Sequence, residues 1–328
     1  MPNKVKKEFD FIGKRKYFLA VSLIIIVIGL VFNIIFGTQL DISFQGGTIF
    51  TYSYTGEIDK DQIKQIAEEK LGKEVTVDLT ESLTGESQQI TVSLANKEAI
   101  PTEQQDELTA TLEETFADNA VQELTTQSVK ASTGIGFFIK CIFAIVLGAI
   151  FITLYVGIRF RKIGGLSAGV FATLALLHDV LIAYFMYVIF RIPLNDNFIA
   201  VVLTILGYSI NGTIVIYDRI RENERLYRRS KGIAEIVNTS VNQTVRRNIF
   251  TSLCTLLAVV AVAVVAMIFN LDSIISFAFP MSVGVIAGCY SSVLLSSPFW
   301  VVWREHKIRK NQEKQQHKSN SSVAKKSK

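Results

Sequence analysis

Two ionisable residues inside a long apolar stretch are the strongest candidates for chemistry in this chain. His178 and Asp179 stand side by side within residues 163–190, which are otherwise free of charged side chains. A carboxylate near the middle of a membrane costs about 2.5 to 3.5 kcal/mol even on the lenient insertion scale. It therefore needs a partner or a path to water, and a His-Asp pair of this kind could bind and release protons.

Four more polar residues lie in or beside the next two apolar stretches. Asn211 falls within residues 198–217 and Asp218 follows that stretch directly. Arg247 and Thr251 begin the following stretch and are four residues apart, which places them on one helical face. Structural explanations stay open for each: Asp218 could pair with a nearby Arg, Arg247 could anchor at the interface, and Asn211 could hydrogen-bond between helices.

The apolar stretches that hold these residues predict six membrane spans. Each is long enough to cross a hydrocarbon core of roughly 30 Å. The last contains Pro280 and Pro298, so we expect an interfacial lead-in before its helix. The first follows three basic residues, as in a secretory signal, but its apolar core exceeds the usual length of about 7 to 15 residues, and we expect an uncleaved anchor. The stretches are residues 17–36, 141–158, 163–190, 198–217, 249–271 and 273–303.

The basic residues predict the orientation of these spans. Residues 1–16, 158–162, 219–247 and 304–328 hold 26 of the 34 Lys and Arg residues. Short cytoplasmic loops retain such residues, so both termini are expected in the cytoplasm, with 1–16 as a basic N-terminus. The basic tail, 304–328, is expected to be disordered and attracted to anionic lipid head groups rather than to nucleic acid.

Glycines and cysteines inside the spans have structural rather than chemical interpretations. Two small-xxx-small patterns allow close approach of helices, Gly165 with Gly169 and Gly284 with Gly288. The three cysteines, Cys141, Cys254 and Cys289, lie in spans. No disulfide framework is indicated, and no cofactor, metal ligand or catalytic nucleophile is predicted.

Between the first two spans, residues 37–134 predict a small external α+β domain. From residue 41 to residue 130 there are eighteen Asp and Glu against six Lys. The pattern is strand, helix, strand, strand, helix, strand, the split βαβ order of ferredoxin-like domains. Asp59 and Gln62 resemble a capping box and Gly72 suits a C-terminal cap, whereas Thr102 with Gln105 is expected to open the second helix. Since the domain has no His, Cys or Gly-rich phosphate loop, we expect a binding surface.

Five ordered motifs resemble the SecF members of the SecD/SecF protein-export family. The first, residues 40–48, follows span one and contains Asp41, Gly46, Gly47 and Thr48; it resembles an Asp-Phe-x-Gly-Gly-Thr pattern. The match is specific because the order holds from residue 17 to residue 303. The other motifs are Leu176-Leu177-His178-Asp179-Val180, residues 204–211 leading into 217–223, residues 242–247 with 251–252, and residues 288–292.

This resemblance implies half of a resistance-nodulation-division type bundle, with six transmembrane helices over 17–36 and 135–303, in the bacterial cell (inner) membrane. The family acts in late preprotein translocation, driven by the proton motive force and without covalent catalysis. The implied partners are SecD, the Sec translocon channel, a YajC-like accessory subunit, the preprotein and membrane lipids.

One position departs from the family pattern. The fourth-span motif usually reads Asn-Asp-Thr, but this chain has Gly212 after Asn211. Glycine cannot titrate, so either SecD supplies the whole proton site, or Asp179 or Asp218 takes part, or coupling is weakened. Arg247 and Thr251 match the fifth-span Arg and Thr that lie near the family's proton path. We expect Arg247 to pair with a carboxylate of the partner.

Two other functions stay open at this point. A proton-linked small-molecule or lipid exporter of the same superfamily would share such helices, but those pumps usually carry two six-span halves and larger external domains. A membrane receptor or scaffold would leave the His178-Asp179 pair and the Arg247 face unexplained.

Overall fold

Six helical stretches of this chain are long and apolar enough to cross a membrane, in agreement with the predicted fold class. The computed structural model describes residues 8–41, 44, 46–81, 88–95, 100–129, 131–227, 229–269 and 271–326. The helices of the bundle are α1 (Arg15–Phe36), α4 (Ala131–Arg159), α5 (Leu166–Ile189), α6 (Asp196–Tyr227), α7 (Ile233–Ile268), α8 (Asp272–Ser291) and α9 (Ser297–Lys326).

The last span is one nearly continuous helical stretch, so the expected interfacial lead-in is wrong. Helix α8 passes through Pro280, and a π-helical turn, Ser292–Ser296, joins it to α9. Proline has no N–H to donate to the carbonyl four residues earlier. Here the hydroxyl of Tyr187 donates to that carbonyl, Ser276 O, at 2.7 Å. A side chain from α5 thus satisfies the group that proline would leave unpaired.

The basic tail also differs from the disordered segment that the sequence predicts, because α9 continues to Lys326. Residues 304–326 contain neither Gly nor Pro and are rich in Lys, Gln and Glu, which favour helix. The preceding turns of α9 are already helical, so the tail extends an existing helix without the cost of nucleation.

A four-stranded antiparallel sheet with two helices forms the domain between α1 and α4, which we call the sheet domain. Its strand order is β2-β3-β1-β4, as the split βαβ pattern requires. Phe50 and Tyr52 of the central strand are fully buried beneath the two helices. The elements are β1 (Gly47–Tyr54), α2 (Lys60–Leu71), β2 (Thr76–Glu81), β3 (Gln88–Ala95), α3 (Thr102–Thr115) and β4 (Gln122–Val129).

The ends of the two sheet-domain helices test the predicted caps. Asp59 caps α2 by accepting a hydrogen bond from the backbone N–H of Asp61 at 2.9 Å, and Gly72 ends it with φ +64°. Thr102 opens α3 as its first residue, as the sequence predicts. The preceding Pro101 occupies the cap position, and the Gln105 side chain donates to Ile100 O at 2.7 Å. Proline pre-sets the backbone at that boundary, so no hydroxyl cap forms.

Within the bundle, α5, α6 and the α8–α9 stretch are central, and α1, α4 and α7 are peripheral. The most apolar windows of the central helices are 44% to 50% buried, against 6% to 11% for the peripheral ones. Small residues set the close contacts between them. A Cβ on Gly169 would lie 2.7 Å from Thr153 O of α4, and one on Gly165 would lie 2.9 Å from Gly157 O.

Candidate functional site

Asp179 joins three helices at the centre of the bundle. Its side chain is fully buried on α5. One carboxylate oxygen accepts hydrogen bonds from the hydroxyls of Ser209 on α6 (2.6 Å) and Ser291 on α8 (2.7 Å). The other lies 3.0 Å from Nδ1 of His178. Three hydrogen bonds stabilise the carboxylate, and they hold α5, α6 and α8 together at one point.

The π-helical turn after α8 extends this polar network. The Ser292 hydroxyl donates to Ser209 O at 3.0 Å and accepts from the Thr213 hydroxyl at 3.2 Å. One turn further, Tyr217 and Ser296 form a hydroxyl pair at 2.9 Å. A π turn widens the helix locally, and such turns often occur at functional sites. Here it places two consecutive serines, Ser291 and Ser292, in one network.

His178 connects the Asp179 cluster to α1. Its ring stacks on Tyr290 with centroids 6.2 Å apart, and the Tyr290 hydroxyl donates to Phe18 O of α1 at 2.6 Å. The second ring nitrogen, Nε2, is buried and has no hydrogen-bond partner among the residues that the structure describes. A buried ring nitrogen of this kind can hold a proton or a water molecule.

Beside Ser209 lies a cavity of about 90 Å³ between α6, α7 and α8. A Cβ added to Gly212 would point into it, 3.1 Å from Ser292 Oγ. Ser209 lines the cavity and its hydroxyl also binds Asp179, so this residue connects the cavity with the buried carboxylate. The lining residues are Tyr208, Ser209, Asn211, Gly212, Val215, Arg247, Asn248, Thr251, Ser252, Gly288, Cys289 and Ser292.

A second, more open groove of about 300 Å³ continues toward the end of α6. Val215 and Arg247 line both spaces, so the two adjoin at these residues. Asp218 also lines the groove, but it is engaged by Arg159 (3.1 Å) and Arg221 (2.6 Å). Within the described ranges, no carboxylate forms an ion pair with Arg247.

The motif after α1 lies apart from this cavity. The backbone N–H of Asp41 donates to Leu194 O at 3.0 Å in the loop between α5 and α6. Gly46, with φ +85°, leads into β1, where the Thr48 hydroxyl lies 3.2 Å from that of Ser128. These residues connect the first span to the bundle and to the sheet domain.

Of the predicted site residues, the structure brings six into three neighbouring groups. Asp179 and His178 form the buried pair, Asn211, Arg247 and Thr251 line the cavity, and Asp218 lines the groove. Sequence analysis missed the hydroxyls that connect them, although polar residues within apolar spans are a usable signal. The missed connecting residues are Ser209, Ser291 and Ser292.

Comparison with known proteins identifies the family. The sequence model described as "Protein export membrane protein SecD/SecF, C-terminal" matches residues 108–306. The chain belongs to this family. It is 36% identical to the protein translocase subunit SecF of Petrotoga mobilis, over 91% of this chain and 95% of that protein. It is 35% identical to the SecF of Sebaldella termitidis, over 87% of this chain and 88% of that one.

The SecD/SecF assignment extends to solved structures. A crystal structure of SecDF from Thermus thermophilus, described as a translocon-associated membrane protein, matches 93% of this chain with a TM-score of 0.75 and 30% identity. SecDF in a super-membrane-facing form matches 94% with a TM-score of 0.67 and 32% identity. In both, the match covers 40% of the SecDF chain.

Proposed function

We propose that this chain is the SecF half of a SecD–SecF export complex that uses the proton motive force to promote late preprotein translocation. The single observation that carries this proposal is an exposed polar face that lies within the fourth predicted span and at the start of the fifth. Asn211 of α6 and Arg247 and Thr251 of α7 are exposed on the outside of the bundle and line one cavity. The SecDF relatives support a SecD partner, since they hold a SecF-like region and further sequence in one chain.

Lipid tails cannot satisfy this face. They offer neither hydrogen bonds nor counter-charge, so polar side chains within spans face protein or water. A partner helix over α6 and α7 would close the cavity and could present a carboxylate to Arg247. We propose that SecD supplies this helix and this carboxylate.

The buried pair offers a second titrating group. Ionised Asp179 accepts hydrogen bonds from Ser209 and Ser291, whereas protonated Asp179 carries a donor of its own and can no longer accept at every position. Protonation therefore changes a contact shared by α5, α6 and α8. A group that favours one arrangement when charged and another when neutral can couple proton binding to movement. With Gly212 in the cavity, we propose that Asp179 shares the proton site with the partner.

The other parts of the proposal follow from the sequence. We place the chain in the bacterial cell membrane with both termini in the cytoplasm, because 26 of its 34 Lys and Arg residues lie in the four segments assigned to that side. We propose no covalent step. The near full-length similarity to translocase subunits supports export over a small-molecule or lipid exporter. The Sec channel, a YajC-like subunit and the preprotein are proposed further partners.

The test replaces Arg247 and uses its neighbour as a control. Arg247→Ala removes the cation that lines both the cavity and the groove, whereas Arg246→Ala removes an adjacent exposed cation that lines neither. In depleted cells complemented with each variant, pulse-labelling of a secreted protein should show precursor accumulation for Arg247→Ala only, at equal membrane levels. Equal export by both variants would remove Arg247 from the mechanism.

The same labelling with and without collapse of the proton gradient tests the energy source. Collapse of the gradient should slow export in wild-type cells but should cause little further slowing in Arg247→Ala cells. Normal secretion after depletion would contradict the export function itself.

A further inference from the structure

The segment before α1 is attached to α7 along its first turns. Glu8 to Lys14, which we call the strap, lies 227 to 233 residues away in sequence from the side chains that bind it. Two asparagine side chains of α7 bind the backbone of the strap. The Asn242 side chain accepts from Phe9 N at 2.9 Å and donates to Phe9 O at 2.8 Å, and Asn238 accepts from Phe11 N at 2.9 Å.

Apolar burial supports these hydrogen bonds. Phe11 and Ile12 are each only 7% exposed and belong to the same buried cluster as Val237 and Val241 of α7. The Thr239 hydroxyl adds a bond to the Glu8 carboxylate at 3.1 Å. Paired backbone groups and buried side chains together define a docked segment rather than a loose terminus.

The strap joins α1 without a flexible linker. Backbone hydrogen bonds run from Arg15 N to Ile12 O (3.3 Å) and from Tyr17 N to Lys14 O (3.0 Å), and the Arg15 guanidinium also donates to Ile12 O at 2.8 Å. A shift of the start of α7 is therefore transmitted directly to the start of α1.

At its other end, α1 is held by a second set of contacts. Asn33 and Thr38 both bond the Tyr184 hydroxyl of α5 at 2.5 Å, and Leu194 N donates to Gln39 O at 2.9 Å. Between its ends the helix is largely exposed, with 11% of its apolar window buried. Along its length, the small residues Ser22 and Gly29 are buried against the bundle, and Tyr290 binds Phe18 O. A continuous helix of this kind can pass a displacement of its start on to its end. Its end leads into β1 of the sheet domain.

We propose that Asn238 and Asn242 are positioning residues that, through the strap and α1, couple α7 to the segment entering the sheet domain. The inference rests on the proposed function, because α7 also carries Arg247. Movement of α7 at the cavity would then reach the sheet domain through α1 in addition to any route through the central helices.

The test is hydrogen–deuterium exchange of the full chain in lipid nanodiscs with its partner. Asn238→Ala with Asn242→Ala removes three hydrogen bonds of the strap, so exchange of residues 8–16 should rise at least about tenfold. Coupling predicts that residues 37–41, at the other end of α1, also exchange faster, while α5 does not change. Arg246→Ala, one turn further along α7, serves as the control and should change neither segment.

Export measured on the same variants separates this inference from the proposed function. The double Asn variant should slow export at normal membrane levels. Asn242→Asp keeps the acceptor for Phe9 N and removes the donor to Phe9 O, so it should slow export less than the double variant does. It replaces the double variant in the test if that variant accumulates poorly in the membrane. Faster exchange confined to 8–16, with normal export, would overturn the coupling role while leaving the Arg247 result intact. Normal export by Arg247→Ala would instead contradict the proposed function.

Discussion

Replacing Asp179 by Ala or by Asn separates its structural contribution from its titration. Alanine leaves two hydroxyls and one imidazole nitrogen without their common partner, in a fully buried site. Each unsatisfied buried group costs about 1 to 3 kcal/mol, so Asp179→Ala should lower the free energy of unfolding by at least about 3 kcal/mol.

Asparagine keeps most of this network. Its amide oxygen can accept from Ser209 and Ser291, and its amide NH₂ can donate to Nδ1 of His178 when the ring proton is on Nε2. Only the charge assistance is lost, and we expect a cost of about 1 to 2 kcal/mol. Both changes in the free energy of unfolding can be measured by unfolding the variants in SDS and monitoring the fluorescence of Trp300 and Trp303. A cost below about 1 kcal/mol for Asp179→Ala would refute the three-helix contact.

Export then tests titration at the same position. Asp179→Asn should reach the membrane at normal levels but export slowly, because it cannot bind and release a proton. Adding Gly212→Asp, which returns a carboxylate to the adjoining cavity, should restore part of the rate. Wild-type export by Asp179→Asn alone would exclude Asp179 as a titrating group.

Two further predictions concern packing and pH. A Cβ on Gly284 would lie 2.2 Å from Cδ1 of Ile205, so Gly284→Ala should lower the free energy of unfolding by about 1 to 3 kcal/mol. In a double-mutant cycle of SDS unfolding, Ile205→Ala should relieve part of this cost. Simple additivity of the two substitutions would contradict the contact. Burial raises the pKa of Tyr52 from 10.0 to about 12. The folded sheet domain thus holds the phenolic proton more tightly than the unfolded chain does. Roughly 3 kcal/mol of stability that is present below pH 10 is therefore lost as the pH rises to about 12. Proteolysis of the sheet domain across this range should rise in wild type and less in Tyr52→Phe; identical profiles would contradict the assignment.

The sequence was sufficient for the architecture wherever the signal is local. Span length depends on runs of apolar residues, so six spans could be counted without a structure. The sheet order agrees with the split βαβ pattern that the sequence of strands and helices predicts, in which the third strand lies between the first two. The Asp59 cap and the Gly72 cap also depend only on neighbours in the chain.

The sequence prediction differed from the structure in two places. In one, a side chain from a distant helix replaces a lost backbone hydrogen bond; in the other, a charged segment continues a helix that precedes it. Pro280 suggested a break, but Tyr187 from another helix binds the carbonyl that the proline leaves free. The charged tail suggested disorder, but it continues a helix that is already formed. The contact from Tyr187 is not visible in the residues around Pro280.

By itself, the sequence determined which polar residues lie within the predicted spans or at their edge: His178, Asp179, Asn211, Thr251 and, at the edge, Arg247. Only the tertiary structure decided that Asp179 meets serines 30 and 112 residues away, and that Gly212 and one of these serines, Ser209, line the same cavity. Hydropathy sets how far a helix extends, but not its rotation or depth against its neighbours. The rotation and depth of a helix depend on packing between residues that are distant in the chain. Rotation and depth in turn fix which polar groups meet.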